Sequence, residues 1–270
     1  PRFRAGQIYQ WIHQKLVRTP DEMKNLPKEL RAWIAKDWVG VTEETRYVSK
    51  LDGTNKFLFR LQDDNLIESV WMPYRHGNSV CISSQVGCRM GCRFCASTID
   101  GVVRNLTASE MLDQVYAMQS LMGERVSNIV VMGSGEPLDN YENLVRFLRL
   151  ISDERGLHIS QRNITVSSCG LVLKIYELAE EGFQITFALS LHASTDEERK
   201  ELMPIANRYS LKEVLDACHC YFEKTGRRVT YEYSLVKGIN DSVTHAERLS
   251  RLLKPLTPCH VNLIPVNPIK

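Results

Sequence analysis

The sequence predicts an α/β fold in which helices pack on a largely parallel sheet. From residue 79 onward, short apolar segments alternate with amphipathic segments of helical period, which is the pattern of repeated β/α units. Two of these segments, NIVVMG and QITFALSLH, are nearly continuous apolar runs, as expected for parallel strands buried on both faces. Six such units fit either a doubly wound sheet or a partial (β/α)6 barrel, and both place their chemistry at the carboxyl ends of the strands.

The first 75 residues follow a different pattern and are predicted to form a small N-terminal α+β accessory domain. GQIYQWIHQKLV and LPKELRAWIAKDW carry apolar residues at the i, i+3 and i+4 spacings of amphipathic helices. RYVSKLDGTNKFLFRL and NLIESVWMPY have the composition of strands separated by polar turns. We therefore assign residues 1–75 to the accessory domain and residues 76–270 to the main domain. The chain opens without an initiator methionine, so we expect the natural protein to begin upstream.

The main domain is predicted to contain six strands with helices between them. The strands are expected near residues 79–84, 128–133, 163–167, 184–191, 228–236 and 260–266. TASE and SLKE are capping boxes, in which a Ser or Thr and a Glu three residues later satisfy the first backbone N–H groups of a helix. Asp241 is expected to cap a third helix, and Asn140 or a neighbour is expected to start a fourth.

Composition and charge narrow the class of protein. Hydrophobic residues make up 43% of the chain and charged residues 24%, which is ordinary for a globular protein. No apolar run approaches the ~20 residues of a membrane span. A net charge of +2 attracts nucleic acid only weakly, so an RNA site would have to be a local patch. The candidates for that patch, which are otherwise solvated surface arginines, are Arg89, Arg93, Arg104, Arg227 and Arg228.

Eight cysteines without a secretory context indicate a reducing compartment, and we expect a cytoplasmic protein whose clustered thiols bind metal. Four of them lie in CISSQVGCRMGCRFCAS, where Cys88, Cys92 and Cys95 follow the spacing C-x3-C-x2-C. A [4Fe–4S] cluster has four irons, so three cysteines would leave one iron open for a substrate or cofactor.

The residues around these cysteines suit a cluster. Gly87 and Gly91 allow tight bends near the thiolates, and Arg89 and Arg93 would offset their negative charge. Two alternatives remain: a zinc site completed by a distant histidine such as His76, and a group of incidental buried cysteines. The spacing of three residues and then two is unusual for zinc modules, which favours the cluster.

Longer stretches place this motif in a family. The spacing C-x3-C-x2-C is the signature of the radical S-adenosylmethionine (SAM) superfamily. CISSQVGCRMGCRFCAS, MGSGEPLDNYENL, ALSLHAS, RKELMPIANRYSL and HVNLIPVNP resemble the RlmN/Cfr family of radical SAM RNA adenine methyltransferases, and the resemblance covers nearly the whole chain. It implies a radical SAM core shaped as a partial (β/α)6 TIM-like barrel, with one [4Fe–4S] cluster and SAM as cofactors. Pro137 and Pro268 resemble the RlmN branch more than the Cfr branch.

The target atom explains why such a family needs radical chemistry. The ring carbon C2 of adenine is not nucleophilic, so it does not attack the sulfonium methyl group of SAM, and the cofactor must supply a radical. The resemblance implies that one SAM methylates a C-terminal cysteine and that a second SAM yields a deoxyadenosyl radical, which removes hydrogen from that methyl group. The carbon radical adds to the base, a general base removes the ring proton, and a second cysteine forms a transient disulfide that releases the product.

The resemblance also assigns roles to individual residues. Glu68 matches the general base and Cys81 matches the cysteine that resolves the covalent adduct. Taken alone, Glu68 would be one polar residue of an alternating strand and Cys81 a buried strand cysteine. Gly135 follows an apolar strand, where a glycine lets the backbone approach a ligand closely. The matched cluster ligands are Cys88, Cys92 and Cys95. The matched SAM contacts all follow or end strands: Gly135, Glu136, Ser167, Ser190, Leu191, His192 and Asn267.

Substrates and partners are implied in the same way. The family's targets are C2 of adenine 2503 in 23S rRNA and C2 of adenine 37 in certain tRNAs. Three alternatives stay open: C8 of the same rRNA adenine, as in the Cfr-type resistance relatives, a SAM-cleaving enzyme acting on another substrate, and a zinc-stabilised RNA-binding module without catalysis. A flavodoxin or ferredoxin is expected as electron donor, no membrane partner is expected, and the enzyme is expected to be a monomer.

One departure from the family concerns the C-terminus. The family's methyl-carrying cysteine follows the last strand, whereas this sequence stops at Lys270 with no cysteine that matches. Cys259 precedes the last predicted strand and should lie at the opposite end of the barrel. We therefore expect that a C-terminal tail is missing from the sequence and that these 270 residues bind the cluster and SAM without completing methyl transfer.

Overall fold

The computed structural model describes residues 2–265 and is centred on one nine-stranded sheet. In space the strands follow the order β1-β2-β3-β4-β7-β8-β9-β10-β11, which is their order along the chain apart from a separate β5–β6 hairpin. The strands are Thr42–Val48 (β1), Asn55–Arg60 (β2), Leu66–Met72 (β3), Asn78–Cys81 (β4), Gln85–Gly87 (β5), Val102–Asn105 (β6), Val126–Val131 (β7), Ile164–Ser168 (β8), Thr186–Ser190 (β9), Thr230–Leu235 (β10) and His260–Pro265 (β11).

Six of these strands are parallel and form the open barrel. β4, β7, β8, β9, β10 and β11 run in one direction, each paired with the next. The helices are Arg2–His13 (α1), Lys28–Ala35 (α2), Ala108–Met122 (α3), Tyr141–Ile151 (α4), Val172–Glu180 (α5), Asp196–Leu202 (α6), Leu211–Thr225 (α7) and Val243–Leu253 (α8). Ile129, Ile164 and Phe187 are fully buried, as the apolar runs predicted for central parallel strands.

Three antiparallel strands, β1–β3, extend this sheet on its β4 side; we call them the antiparallel extension. β3 pairs with β4 so that Val70 lies opposite Cys81, and β2 pairs with β3 in turn. Phe57, Phe59 and Trp71 of the extension are buried in the same hydrophobic core as the barrel strands. The domain boundary at residue 75 stays a prediction, because both sheet and core continue across it.

The two N-terminal helices have a small core of their own. Val17, Met23 and Leu26 are buried there, and Trp11 and Trp38 pack around them partly buried. This agrees with the amphipathic pattern from which both helices were predicted. Within residues 2–265, no helix is both long enough and apolar enough for a membrane crossing.

The long helices begin where the capping signals predict, with one exception. α3 and α7 start at the capping boxes of TASE and SLKE. α8 begins after Ser242, whose hydroxyl oxygen accepts the His245 N–H. The prediction that Asp241 caps this helix is therefore wrong: its carboxylate accepts the Gly238 N–H at 2.9 Å, inside the preceding turn.

A hairpin carries the cysteine motif beyond the end of β4. β5 and β6 are its antiparallel arms, and residues 88–101 between them form what we call the cysteine loop. The Asn140 amide donates to the carbonyl oxygens of Ser84 at 2.8 Å and Leu106 at 2.7 Å, which anchors the base of the hairpin. Asn140 thus precedes α4 as predicted, and its side chain bonds the hairpin instead of capping the helix.

Candidate active site

A cavity of about 250 Å³ lies where the parallel strands end, between them and the cysteine loop. This position agrees with the general rule that α/β sheets bind ligands at the carboxyl ends of their strands. Eight of the residues singled out from the sequence line the cavity: Cys88, Cys92, Cys95, Gly135, Glu136, Ser167, Ser190 and His192. Glu68, Cys81 and Leu191 do not line it, and Asn267 lies outside the described residues.

The three cysteines of the motif reach the cavity with their thiols largely shielded from water. Cys88 and Cys92 are buried and Cys95 is partly exposed. Burial raises the pKa of Cys88 to about 11 and that of Cys92 to about 12, and the neighbouring thiols add to the effect at Cys92. Such thiols are poor free nucleophiles at neutral pH, but a bound cation would stabilise all three thiolates. Their chemistry is that of a metal-binding set.

The spacing of the donors fits a cluster better than a single ion. Within residues 2–265, no three His, Cys, Asp or Glu side chains surround a point where one metal ion could be bound. In a [4Fe–4S] cluster each thiolate binds its own iron, so the sulfur atoms stand apart around the cube. His76 precedes β4 and stacks on Tyr74 at 5.2 Å, at the end of the strand away from the cysteine loop. It therefore does not complete a zinc site with these cysteines.

Two glycines in this region are required by close packing. Gly87 has φ +73°, and a Cβ there would overlap the carbonyl oxygen of Gly101, which closes the cysteine loop. Gly135 has φ +105°, and a Cβ there would lie 2.7 Å from the backbone nitrogen of Gln85. The missing side chain of Gly135 therefore lets its turn pack against β5, and Gly135 also lines the cavity, where the sequence interpretation placed a ligand.

Glu136 is a buried carboxylate without a cationic partner. Its Oε1 accepts the Leu138 N–H at 3.0 Å and its Oε2 accepts the Cys169 N–H at 2.8 Å. Burial raises the pKa of this carboxyl, and no Arg, Lys or His of the described chain pairs with it. A buried carboxylate without a cation beside it favours a cationic ligand, and SAM carries an ammonium group. The residue therefore fits the cofactor implied by the sequence.

His192 is fixed as a neutral hydrogen-bond donor. Its backbone has φ +57°, and its Nδ1 accepts the Ser234 N–H at 3.0 Å. Because Nδ1 is the acceptor, the neutral ring carries its proton on Nε2. Burial, with a smaller contribution from the charge of Arg199, lowers the pKa of His192 to about 3. Phe94 of the cysteine loop contacts the ring edge-to-face at 4.6 Å.

Of the other predicted cofactor contacts, two line the cavity and one is buried in the core. Ser167 and Ser190 lie at the ends of adjacent strands with their hydroxyl oxygens 3.4 Å apart, and both line the cavity. Leu191 is fully buried, and its N–H donates to the carbonyl oxygen of Glu232 at 3.0 Å. Its side chain therefore packs in the core instead of facing the cavity.

Glu68 and Cys81 lie on adjacent strands and share one face of the sheet. Cys81 ends β4 opposite Val70, and Glu68 precedes Val70 by two residues on β3, so their side chains point the same way. The half-exposed Glu68 carboxylate pairs with Lys56 Nζ at 2.5 Å. Burial raises the pKa of Cys81 to about 11, and the negative charge of Glu68 adds to this, which places the two side chains within electrostatic reach.

Two charged residues at the site were missed from the sequence. Glu232, within β10, lines the cavity; its Oε2 accepts the Asn262 amide at 2.8 Å and burial raises its pKa. A lone charge inside the apolar strand TYEYSL was the available signal. Arg199 lies in DEERKEL, which looks like a solvated helix, yet it has no exposed surface. No pattern in the sequence indicates its burial.

The arginines considered for an RNA patch are partly neutralised. Arg89 binds Asp139 through two bonds of 2.5 and 2.8 Å, so it balances that carboxylate before it balances the thiolates. Arg104 pairs with Glu110 at 2.7 Å and with Asp63 at 2.5 Å. Neither charge is therefore free for a phosphate without breaking an ion pair.

Family models match both parts of the chain. The model of the Radical SAM superfamily matches residues 82–249, and the model of the ribosomal RNA large subunit methyltransferase N-terminal domain matches residues 1–38. A probable dual-specificity RNA methyltransferase RlmN of Lachnoclostridium phytofermentans is 66% identical over 99% of this chain and 76% of its own length. A protein of the same description from Lachnospira eligens is 62% identical over 100% of this chain and 77% of its own length.

Solved structures show the same fold. A radical SAM methyltransferase from Sphaerobacter thermophilus superposes with a TM-score of 0.94 at 47% identity, over 99% of this chain and 80% of that one. The hydrogenase maturase HydG shares the fold alone, with a TM-score of 0.52 at 16% identity over 71% of this chain and 43% of its own. The predicted partial barrel is thereby confirmed, and so are the cluster and SAM as cofactors of this superfamily. The chain belongs to the RlmN family of dual-specificity RNA methyltransferases within the Radical SAM superfamily.

Proposed function

We propose that the protein methylates C2 of adenine 2503 in 23S rRNA and C2 of adenine 37 in tRNAs, through a methylated cysteine and a transient disulfide. One observation carries the proposal: three cysteines, the unpaired Glu136 and the polar strand ends share one cavity, with Glu68 and Cys81 on the neighbouring strands. The name of the relatives, dual-specificity RNA methyltransferase, supports RNA as the substrate. The cluster and SAM together supply the radical chemistry that the unreactive carbon requires.

The residues of the cavity would hold the cofactors. The proposed cluster ligands are Cys88, Cys92 and Cys95. Glu136 would bind the ammonium group of SAM, Ser167 and Ser190 would offer hydroxyl groups, and His192 would donate from Nε2. Because His192 is uncharged near neutral pH, it donates without repelling the sulfonium charge. The backbone near Leu191 and the side chain of Asn267 are proposed to complete this set.

Glu68 would be the base that removes the ring proton. Its side chain is 51% exposed, so a base of the RNA can reach it, and it pairs with Lys56 Nζ at 2.5 Å. A general base must come within hydrogen-bond reach of the proton that it removes, and the exposure of Glu68 allows this. When Glu68 takes up the proton, its carboxylate loses its negative charge and the attraction between Lys56 and the carboxyl group weakens.

Cys81 would act after Glu68, in the step that releases the product. Its thiolate would attack the sulfur of the methyl-carrying cysteine: an S–S bond forms, the S–C bond to the product breaks, and the released carbon takes up a proton. Burial, with a smaller contribution from the Glu68 charge, holds the pKa of Cys81 at about 11. Protonation of Glu68 would remove only that smaller contribution, whereas the effect of burial stays.

The position of methylation tests the proposal directly. The full-length protein would be incubated with 23S rRNA or tRNA whose adenines carry deuterium at C2 or at C8, and the product would be mapped by mass. Loss of the C2 label alone is expected. Loss of the C8 label alone would instead assign the Cfr-type reaction, and loss of neither would defeat RNA methylation.

The role of Glu68 is tested separately. Glu68→Gln should reduce methylation by about 10²- to 10⁴-fold, the usual contribution of a general base, while 5′-deoxyadenosine is still formed from SAM. Glu44→Gln is the matched control, because Glu44 is an exposed carboxylate of the same extension paired with Arg60 at 2.9 Å. An unchanged methylation rate in Glu68→Gln would show that another group takes the proton.

The remaining partners are proposed from the same family. A flavodoxin or ferredoxin would deliver the electron, and the enzyme would work as a monomer in the cytoplasm. Light scattering of the reconstituted protein should give the mass of one chain, and a purified flavodoxin system should support SAM cleavage. A stable dimer, or cleavage only with a chemical reductant, would contradict this assignment.

A further inference from the structure

Arg199 is a fully buried guanidinium that has no carboxylate partner in the described chain. Its Nη2 donates to the carbonyl oxygens of Cys169 at 2.6 Å and Ser190 at 3.3 Å. Its Nε and Nη1 are buried and have no hydrogen-bond partner within residues 2–265. A buried charge without a counter-ion costs free energy, so the fold retains this arginine against its own stability.

The surroundings of Arg199 connect it to the cysteine loop. Its carbonyl oxygen accepts the Met203 N–H at 2.8 Å, and Met203 belongs to one small buried cluster with Cys92 and Cys169. The neighbouring Leu202 carbonyl accepts the Arg93 N–H of the cysteine loop at 2.9 Å. The end of α6 is therefore joined to the loop at the residue proposed to bind an iron.

The buried carboxylates nearby do not neutralise Arg199. Glu136 is bonded to the Leu138 and Cys169 N–H groups, and Glu232 is bonded to Asn262. What would balance the charge is an anion next to Cys92. An iron–sulfur cluster bound by thiolates is such an anion, and its negative charge grows by one unit when it is reduced.

We propose that Arg199 is a positioning residue for the cluster, with a buried charge that offsets the cluster's negative charge and a guanidinium that fixes the ends of β8 and β9. The proposal rests on the ligation of the cluster by Cys92 put forward above. Its two parts are separable. The charge acts on the reduction of the cluster, whereas the bonds to the Cys169 and Ser190 carbonyls act on the strand ends that would hold SAM.

Two substitutions separate the charge from the hydrogen bonds. Arg199→Lys keeps the charge and an N–H donor, and Arg199→Gln keeps a donor without the charge. Arg149→Gln is the control, because Arg149 is exposed and pairs with Glu181 at 2.7 Å on the surface. The midpoint potential of the reconstituted cluster in each full-length protein would be measured by EPR-monitored titration.

A lost positive charge next to the cluster disfavours the reduced form. At a fixed potential, the ratio of reduced to oxidised cluster should fall about tenfold or more in Arg199→Gln, equal to about 59 mV for one electron. Arg199→Lys and the control should stay within about twofold of the wild type. Equal shifts in the Lys and Gln variants, or no shift in Gln, would overturn the charge role.

The metal-free protein gives a second measurement. Because the charge is unpaired without the cluster, Arg199→Gln should leave the Tm of the metal-free chain unchanged or raise it. A variant that fails to fold, or whose metal-free Tm drops as far as its reconstituted Tm, would show that Arg199 serves the fold alone. Failure of the ligation itself is recognised independently, because Cys92→Ser would then keep its full iron content.

Discussion

Two cavities of similar size differ in the state of the charges around them. The candidate site encloses about 250 Å³, and a cavity between α1, α2 and α3 encloses about 310 Å³. In the second cavity two pairs of polar groups satisfy one another: His13 bonds the Tyr116 hydroxyl at 2.8 Å, and Arg18 pairs with Asp113 of the lining at 2.5 Å. In the first, the buried Glu136 has no cation beside it among residues 2–265. Size therefore does not mark the functional site; unsatisfied charge does.

The comparison also shows what each cavity contributes to the free energy of folding. The lining of the second cavity is mainly apolar and includes Ile8, Ile12 and Leu112, so its side chains stabilise the chain as it stands. The lining of the first contains thiols and carboxylates whose burial disfavours their charged forms. The first cavity becomes stabilising only when ligands supply the missing opposite charges.

The largest expected effect is loss of the cluster. Cys92→Ser removes one of three thiolates, so iron and sulfide should fall from about four per chain to near zero, and SAM cleavage should stop. Cys259→Ser is the control, because Cys259 precedes β11 and does not line the candidate site. Iron content after anaerobic reconstitution is the measurement. A Cys92 variant that keeps its full iron content would show that this cavity does not bind the cluster through Cys92.

The next effect concerns the unpaired carboxylate. Glu136→Gln keeps the shape of the side chain and removes its charge, so SAM should bind about 10- to 100-fold more weakly, as expected when one charged contact is lost. The metal-free protein should lose about 1–3 kcal/mol at most, because the Gln amide has one acceptor oxygen for the Leu138 and Cys169 N–H groups, while the desolvation cost of the charge disappears. Calorimetric titration with SAM tests this. Unaltered affinity would mean that the ammonium group binds elsewhere.

The equivalent change in the second cavity should lower stability and leave SAM binding unaffected. Asp113→Asn breaks the pair with Arg18 and weakens the bond to the Val41 N–H, now 2.5 Å, so the free energy of unfolding should fall by about 1–3 kcal/mol. SAM affinity should stay at the wild-type value. Urea denaturation gives the free energy of unfolding, and titration of the same protein gives its SAM affinity. Weaker SAM binding in this variant would show that the two cavities are not independent.

The smallest effect is a pH dependence. His192 has a pKa near 3 in the folded chain, against an ordinary value of 6.5, so the unfolded chain binds the extra proton between these values. The stabilisation that comes from keeping His192 neutral is complete above the pKa of the unfolded chain. As the pH falls below that pKa, the free energy of unfolding decreases by up to about 1.4 kcal/mol per pH unit. His192→Asn is the reference, since Asn tolerates the positive φ and offers Ser234 an acceptor. The free energy of unfolding of both proteins would be measured from pH 8 to 5. The same pH dependence in the wild type and in His192→Asn would contradict the prediction.

Much of the architecture was predictable because burial and spacing repeat along the chain. Continuous apolar runs located the parallel strands, and C-x3-C-x2-C located the loop over the cavity. The choice between two neighbouring capping residues was harder to predict, because Asp241 and Ser242 are both good caps. Only the backbone shows that Ser242, with φ −79° and ψ 160°, occupies the position before the helix.

The roles at the site were predictable to different degrees. Glu68 and Cys81 carried no signal of their own, and only the resemblance to the family selected them. Arg199 was not predictable, because a charged helix looks solvated in sequence and its burial depends on how α6 meets the cysteine loop. Glu232 was within reach, since a carboxylate in an apolar strand must find a partner or a ligand.

The matching order of strands in space and along the chain has a consequence for how the protein is made. Each strand of the main sheet emerges from the ribosome after the strand it joins, so the sheet can grow from one edge as translation proceeds. The cysteine loop emerges early, well before Ser190, Arg199 and Met203 that enclose it. The thiols therefore stay open to solvent on the nascent chain until α6 is made and packs beside the cysteine loop.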